Sequence, residues 1–288
     1  MEKKKVLLVF LILVVFNFFS WNLLFFFQNK DLRVVFFDVG QGDAVFIRTP
    51  QKHHILIDGG PGDVVLEKLG REMPFFYNSI DLVILTHPHD DHVSGLIEVL
   101  ERYNVEEVIC TGVSGTSGVA RKWKEKINKR GYRQARAGKR IGTSSFHIDI
   151  LYPAESFKKE EVDDLNKASV VSRLVFREEY SFLFTGDIYK EQEKEIISYK
   201  ERCEEEKGLR CDSFSLDTDV LKVGHHGSKT STSEQFLEFV SPRVAVVMVG
   251  ENNRYGHPHK EVLEKLADYG VEVKRTDKDG DVIFNISQ

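Results

Sequence analysis

Cysteine is scarce in this chain. Three residues in 288, Cys110, Cys203 and Cys211, exclude a disulfide-dense scaffold. Seven prolines and 21 glycines with no period exclude a collagen-like chain, and no short internal repeat suggests a solenoid. Positive charge is not in surplus either: the net charge is −5. The chain as a whole is therefore not an electrostatic nucleic-acid binder, and a polyanionic substrate would have to be held locally, by metal ions or a basic patch. Apolar residues at 41% and charged residues at 30% exclude a disordered chain. Long apolar runs are absent save one, which excludes a polytopic membrane chain.

That one run is Val6–Phe27. Its only polar residues are Asn17, Ser20 and Asn22, and it holds seven of the 21 phenylalanines. As a helix it would extend ~33 Å, enough to cross a bilayer core. Lys3, Lys4 and Lys5 precede it, so the positive-inside rule predicts a cytoplasmic N-terminus and an extracytoplasmic body. A cleavable signal peptide is the rival reading, but the run is too long and no A-x-A-like site follows. The expected organisation is a signal anchor over residues 1–28, placing a single-pass protein in the cytoplasmic membrane, and one soluble domain over 29–288. In an extracytoplasmic setting Cys203 and Cys211 could close a polar loop as a disulfide; two free thiols are the alternative. Cys110 ends an apolar run and is expected to be buried.

Strand signals are dense: Val34–Val39, Ala44–Arg48, His54–Asp58, Leu82–Thr86, Val105–Cys110, Phe146–Tyr152, Val170–Phe176, Ser181–Thr185, Val220–Val223, Val244–Val249, Val271–Arg275 and Val282–Ile286. Helical spacing recurs around Leu96–Tyr103, Val119–Ile127, Phe236–Val240 and Val262–Leu266, and Ile188–Tyr199 reads as a charged surface helix. Layer rules then predict an α/β fold, a four-layer αββα sandwich, with Lys200–Asp219 as a polar excursion.

Seven of the ten histidines fall in clusters where an apolar strand runs out. The first is Thr86-His87-Pro88-His89-Asp90-Asp91-His92, spaced H-x-H-x-D-H. Three imidazoles and a carboxylate so close make poor core packing but suit borderline metals such as zinc or manganese. The second is Phe184-Thr185-Gly186-Asp187, whose acid could bridge two cations or merely cap a helix. The third is Leu221–Ser228, with His225 and His226 after a glycine; the fourth is Gly256-His257-Pro258-His259. His53, His54 and His147 read as strand or surface residues.

These motifs resemble the metallo-β-lactamase superfamily, and more closely the hydrolase domain of the competence protein ComEC family. The resemblance rests on Asp38–Ala44 (DVGQGDA), Leu56–Gly60, the His87–His92 motif, Phe184–Asp187, Leu221–Ser231 (LKVGHHGSKTS) and Asn253–His259 (NRYGHPH). It implies one or two divalent ions. One would sit on His87 and His89, the other on Asp91, His92 and one of His225 and His226, with His226 the favoured ligand, Asp187 between the two ions and Asp58 orienting the histidine loop from behind. It also implies that Asp91 orients a water and that His225 faces the phosphate, with Ser228, Lys229 and His257 contacting substrate. Two departures stand out. The superfamily's third metal motif usually carries a His, where this chain has Asn166-Lys167-Ala168-Ser169. With one hydrophobic segment, the chain looks like a stand-alone, membrane-anchored relative that is not itself the DNA pore and could work with a separate channel protein.

The stretch Arg121–Arg140 carries ten basic residues against Glu125. Arg121, Lys122 and Lys124 are candidates for holding a nucleic-acid backbone; a solvated helix face or a membrane-surface patch is the alternative. The expected function is that of a metal-dependent phosphodiesterase or nuclease acting on DNA, in competence or DNA uptake. Hydrolysis of another extracytoplasmic phosphoester, ester or lactam, and a catalytically weak DNA-binding accessory, are the competing readings.

Overall fold

Period-two alternation of apolar residues builds two sheets of seven strands each. The computed structural model describes residues 2–28, 31–157, 162–205 and 214–287. The first sheet runs in the order β14 (Val282–Ile286), β1 (Leu32–Phe36), β2 (Val45–Arg48), β3 (His54–Ile57), β4 (Ser79–Ile84), β5 (Asn104–Cys110) and β6 (Arg133–Gln134). The second runs β13 (Glu272–Arg275), β12 (Val244–Val247), β11 (Val220–Lys222), β10 (Tyr180–Phe184), β9 (Val171–Phe176), β8 (Phe146–Tyr152) and β7 (Lys139–Gly142).

Alternate residues of each strand face the partner sheet. Val34, Phe36, Ile47, Ile57 and Ile84 from the first meet Ile148, Leu174, Phe182, Phe184 and Val246 from the second. Each such buried side chain contributes about 1.5–3 kcal/mol. The outer face of the first sheet packs on α2 (Val64–Glu72), α3 (Asp90–Arg102) and α4 (Gly118–Arg130), through Leu69, Leu96 and Trp123. The second packs on α5 (Lys190–Glu205), α6 (Glu234–Val240) and α7 (Lys260–Asp268), through Ile196, Leu237 and Leu266. This is the four-layer αββα sandwich.

Three elements depart from expectation. The α2 helix went unread because only Val65 and Leu69 of its nine residues are buried. The basic stretch is one helix only as far as Arg130; Gly131 (φ 91°) ends α4, and the chain then forms the short edge strands β6 and β7. Charged residues on sheet edges discourage edge-to-edge pairing, which accounts for Arg133, Lys139 and Arg140 there. The excursion over 200–219 is only partly one: α5 continues to Glu205, and Phe214 and Leu216 return to bury against the second sheet's helices. Cys203 is disulfide-bonded, whereas Cys211 lies outside the described residues. Cys110 is a buried free thiol, pushed up to about 12 by burial.

The apolar run forms α1 (Glu2–Gln28). Its segment Lys3–Trp21 has a mean hydropathy of 1.9 and buries nothing against the body. That is what a membrane-spanning helix requires. Among the described residues, the Phe19 ring meets that of Phe75 in the body at 5.9 Å.

His54 in β3 is fully buried, stacked on Phe46 and meeting the edge of Tyr77. Burial lowers its pKa to about 4. The unfolded chain takes that proton near pH 6.5, so the stability His54 contributes is complete above pH 6.5 and drains away as pH falls towards 4, by on the order of 3 kcal/mol. His54→Phe keeps the ring stack. In urea unfolding, the variant is expected to lose less stability between pH 7 and pH 4.5 than the parent; equal losses would exclude this role for His54.

Candidate metal centre

The parallel strands β3, β4 and β5 of one sheet and β10, β11 and β12 of the other deliver their C-terminal loops to a common edge. Ligands bind preferentially at such strand ends. Five loops meet there: β1–β2 with Asp43, the turn after β3 with Asp58, β4–α3 with His87–His92, the turn after β10 with Asp187, and the turn after β11 with His225 and His226.

Asp187 lies at the middle. Its Oδ2 is 3.4 Å from His92 Nε2, 3.3 Å from His226 Nε2 and 4.0 Å from His225 Nε2. His87, His92 and Asp187 form one group of mutually close donors, and Asp91, His92 and His226 a second. His226 Nε2 is 3.5 Å from Asp91. His87 Nε2 and His89 Nδ1 stand 3.0 Å apart; two nitrogens on one zinc ion at about 2.1 Å each would be about 3.0–3.4 Å apart.

The backbone behind these groups fixes which atoms face inward. His92 Nδ1 donates to Asp58 at 2.8 Å, and His226 Nδ1 donates to the Met248 carbonyl at 2.8 Å. Each ring therefore turns Nε2 to the centre, the arrangement by which a partner on the other nitrogen orients a ligating histidine. Asp58 also accepts from the backbone N–H and the hydroxyl of Thr86, at 2.8 and 2.6 Å. Asp58, His225 and His226 all occupy the left-handed region (φ 56°, 47° and 52°), which is costly for non-glycine residues and concentrates at functional sites.

Charge is finely opposed here. Burial raises the Asp187 carboxyl, but His226, His92 and Lys222 outweigh it and hold it well below the usual range. Burial lowers His92 and His226, but Asp187 and Asp43 outweigh it and raise both well above the usual value. Burial and neighbouring His92 keep His87 neutral. Burial likewise lowers His225.

Two residues of the centre were missed by sequence reasoning. Lys222 and Asp43 form an ion pair beneath Asp187; the ammonium also donates to the Gly186 carbonyl at 2.9 Å and lies 3.5 Å from Asp187 Oδ1. Both side chains are almost wholly buried. Asp43 Oδ1 is 3.4 Å from His226 Nδ1. A signal was available: Val220 faces the partner sheet, so alternation turns Lys222 inward too, where an unpaired lysine could not remain charged. Where a third-motif histidine would stand, Ser169 Oγ lies 3.3 Å from His87 Nδ1 and accepts the Asp187 N–H at 3.2 Å.

The other predicted contacts divide. His257 joins the mouth of the site, its ring 5.6 Å from that of His225, and burial with His225 and His226 lowers it to about 4. Lys229 is exposed at the rim, its backbone N–H donating to His259 Nδ1. Ser228 is buried, its hydroxyl paired with Thr230. Lys124 requires correction as a substrate contact: its side chain is largely buried, and Nζ donates to the Gly112 carbonyl at 2.6 Å. Lys122 pairs with Glu101 at 3.4 Å and lines a separate cleft beside Glu98 and Val119, while Arg121 donates to the Thr116 carbonyl. Much of the remaining basic stretch is also neutralised: Lys126 by Glu101, Lys129 by Glu125, Arg133 by Glu107 and Arg140 by Asp149.

A divalent cation fits this donor set. The buried Nε2 atoms of His92 and His226 have no hydrogen-bond partner, although both aim at a carboxylate. Orphaned buried nitrogens are costly, and a cation would satisfy both. Residues 37–251 match the sequence model of the metallo-beta-lactamase superfamily. The chain belongs to this superfamily. It is a metal-dependent hydrolase fold related to competence proteins. ComE operon protein 3 of Bacillus subtilis is 30% identical over 86% of this chain and 32% of its own length. Competence protein ComA of Neisseria gonorrhoeae is 27% identical over 90% of this chain and 33% of its own. The chain thus spans about a third of the curated relatives it matches. Among solved structures, the metallo-beta-lactamase fold protein YhfI from Bacillus subtilis superposes with a TM-score of 0.52 at 13% identity, covering 88% of this chain and 99% of that one. At that identity the likeness concerns the superfamily fold alone.

Proposed function

We propose that the chain is a metal-dependent phosphodiesterase, a nuclease acting on DNA at the outer face of the cytoplasmic membrane, tethered there by α1. The observation that carries this reading is the pair of donor groups sharing His92 and lying about Asp187. The competence relatives point the same chemistry towards nucleic acid. His87 and Asp187, with His89 beside His87, would hold one zinc or manganese ion, and Asp91 and His226 a second, His92 belonging to both donor groups. When bound, such ions activate water at neutral pH and neutralise phosphate charge.

The chain's own residues do the rest. The Asp91 carboxyl is raised by burial but lowered further by His226 and His92, so it is ionised and suited to orienting the attacking water. His225 is partly exposed and neutral. Its Nδ1 lies 3.3 Å from the Thr230 hydroxyl and its Nε2 3.5 Å from the Asn166 amide nitrogen, which holds the ring at the mouth of the site where a phosphate oxygen would lie. A separate channel protein would take the strand across the membrane.

The test is cleavage of end-labelled single-stranded DNA by the protein in detergent, with manganese and with zinc. His89→Ala removes the nitrogen beside His87 Nε2 and is expected to lower the rate by at least about tenfold, since even groups that only support a metal site cost that much. A folded, metal-loaded protein that leaves DNA intact but turns over lactam or ester would replace this reading with another hydrolase.

A further inference from the structure

The NRYGHPH segment belongs to the sequence pattern, yet the centre uses only its histidines. Its tip lies in the β12–α7 loop and is built to be rigid. Asn253 Oδ1 accepts from the N–H groups of Tyr255 and His257 at 3.2 and 3.0 Å, and its Nδ2 donates to the carbonyls of Gly250 and His257 at 3.2 and 2.7 Å. This frame holds Tyr255 outward, half-exposed, with its ring 5.7 Å from His257 and inclined by 23°. The Arg254 guanidinium lies 5.1 Å from the ring centroid. Exposed aromatic rings are usually scattered; this one is ordered, carries a cation and stands beside the reacting groups.

The cleft it borders encloses about 410 Å³ and is lined by Gln41, Asp90, Asp91, Asn253, Arg254 and Tyr255. Asp91 belongs to both the cleft and the metal centre. Gln41 is anchored by its oxygen, which accepts the Gly250 N–H at 3.3 Å, while its Nε2 has no hydrogen-bond partner. The cleft therefore offers an aromatic ring and a guanidinium next to the place where a phosphodiester would be cut. Asp90 is occupied by the Ser117 hydroxyl, and the Arg254 guanidinium donates to the Tyr255 hydroxyl at 2.9 Å.

The geometry points to Tyr255 and Arg254 as a stacking platform for the nucleobase next to the scissile phosphate, which makes single-stranded nucleic acid the substrate. This rests on the phosphodiesterase reading above. A base inside a duplex is already stacked and cannot lie on such a ring, whereas unpaired bases stack on aromatic side chains regardless of sequence.

The experiment compares two fluorescein-labelled oligomers of equal length, one single-stranded DNA and one wholly abasic, for binding by anisotropy and for cleavage. Tyr255→Ala is expected to weaken binding of the base-bearing strand about tenfold to a hundredfold. The same loss should appear in KM. Tyr255→Phe should stay within about twofold of the parent, and the abasic strand should bind parent and Tyr255→Ala alike. Unchanged affinity of Tyr255→Ala for the base-bearing strand overturns the platform. So does an equal loss on the abasic strand, which would mean that Tyr255 serves the backbone. Parent protein is scored first: if it cuts DNA and Tyr255 is indifferent, only the platform fails; if it neither binds nor cuts DNA, the phosphodiesterase reading fails and the platform with it.

Discussion

Lys222→Met is expected to lower stability by about 3–5 kcal/mol, the cost of leaving a buried charge without its partner. Asp43 would keep its carboxylate in a site where Lys222 is the strongest opposing charge. Asp187 would lose the ammonium beside its Oδ1, which now leaves Oδ2 to face the two histidines. Calorimetry should show a melting temperature lower by roughly 10 °C, and metal content per chain should fall with it. The double variant Asp43→Asn with Lys222→Met removes both charges and should recover more than half of the stability. It should not recover full metal content, because the carboxylate remains unsteadied. A single variant that melts with the parent would show that the pair is dispensable.

Gly95→Ala is expected to destabilise by about 3 kcal/mol, at the upper end of overpacking costs, against its local propensity. Within a helix, alanine is favoured over glycine by about 1 kcal/mol. Here a Cβ would lie 2.0 Å from the Gly59 carbonyl oxygen and 2.7 Å from Val65 Cγ1, so α3 could not keep its seat. Two hydrogen bonds hold that seat, Gly59 N–H to the His92 carbonyl at 2.8 Å and Gly95 N–H to the Gly60 carbonyl at 3.0 Å. Parting them would draw His92 from Asp58, so metal content should fall as well. Gly70→Ala in α2 is the control: nothing lies within 4 Å of its Cβ, and it should gain up to about 1 kcal/mol. If both variants melt alike, close backbone approach is not what fixes the histidine loop.

The sandwich was legible because its strands are apolar runs punctuated by glycine, proline and aspartate, and a run such as Phe146–Tyr152 is strand from end to end. Short edge strands of charged residues give no such signal, so β6 and β7 were absorbed into a helix reading. The histidine clusters were legible because each follows a strand at close spacing. Alternation marks Lys222 as inward-facing, but its partner Asp43 comes from a loop of the other sheet, and no local pattern contains that pairing. Lys124 misled for a related reason: a long aliphatic stem lets a lysine on a buried helix face reach a carbonyl, and composition cannot distinguish that from a surface charge.

At most three residues separate α1, ending at Gln28, from β1, starting at Leu32. Fully extended, they reach about 10–14 Å. Were α1 to lie in a bilayer, as proposed, the hydrolase would be a surface reactor on a short leash. Its encounters would be confined to a thin slab above the lipid, where the relevant quantity is how much substrate passes per unit area rather than bulk concentration. Turnover would then depend on whatever brings the substrate down to the membrane, and a soluble version of the same domain would meet it by a different kinetic law.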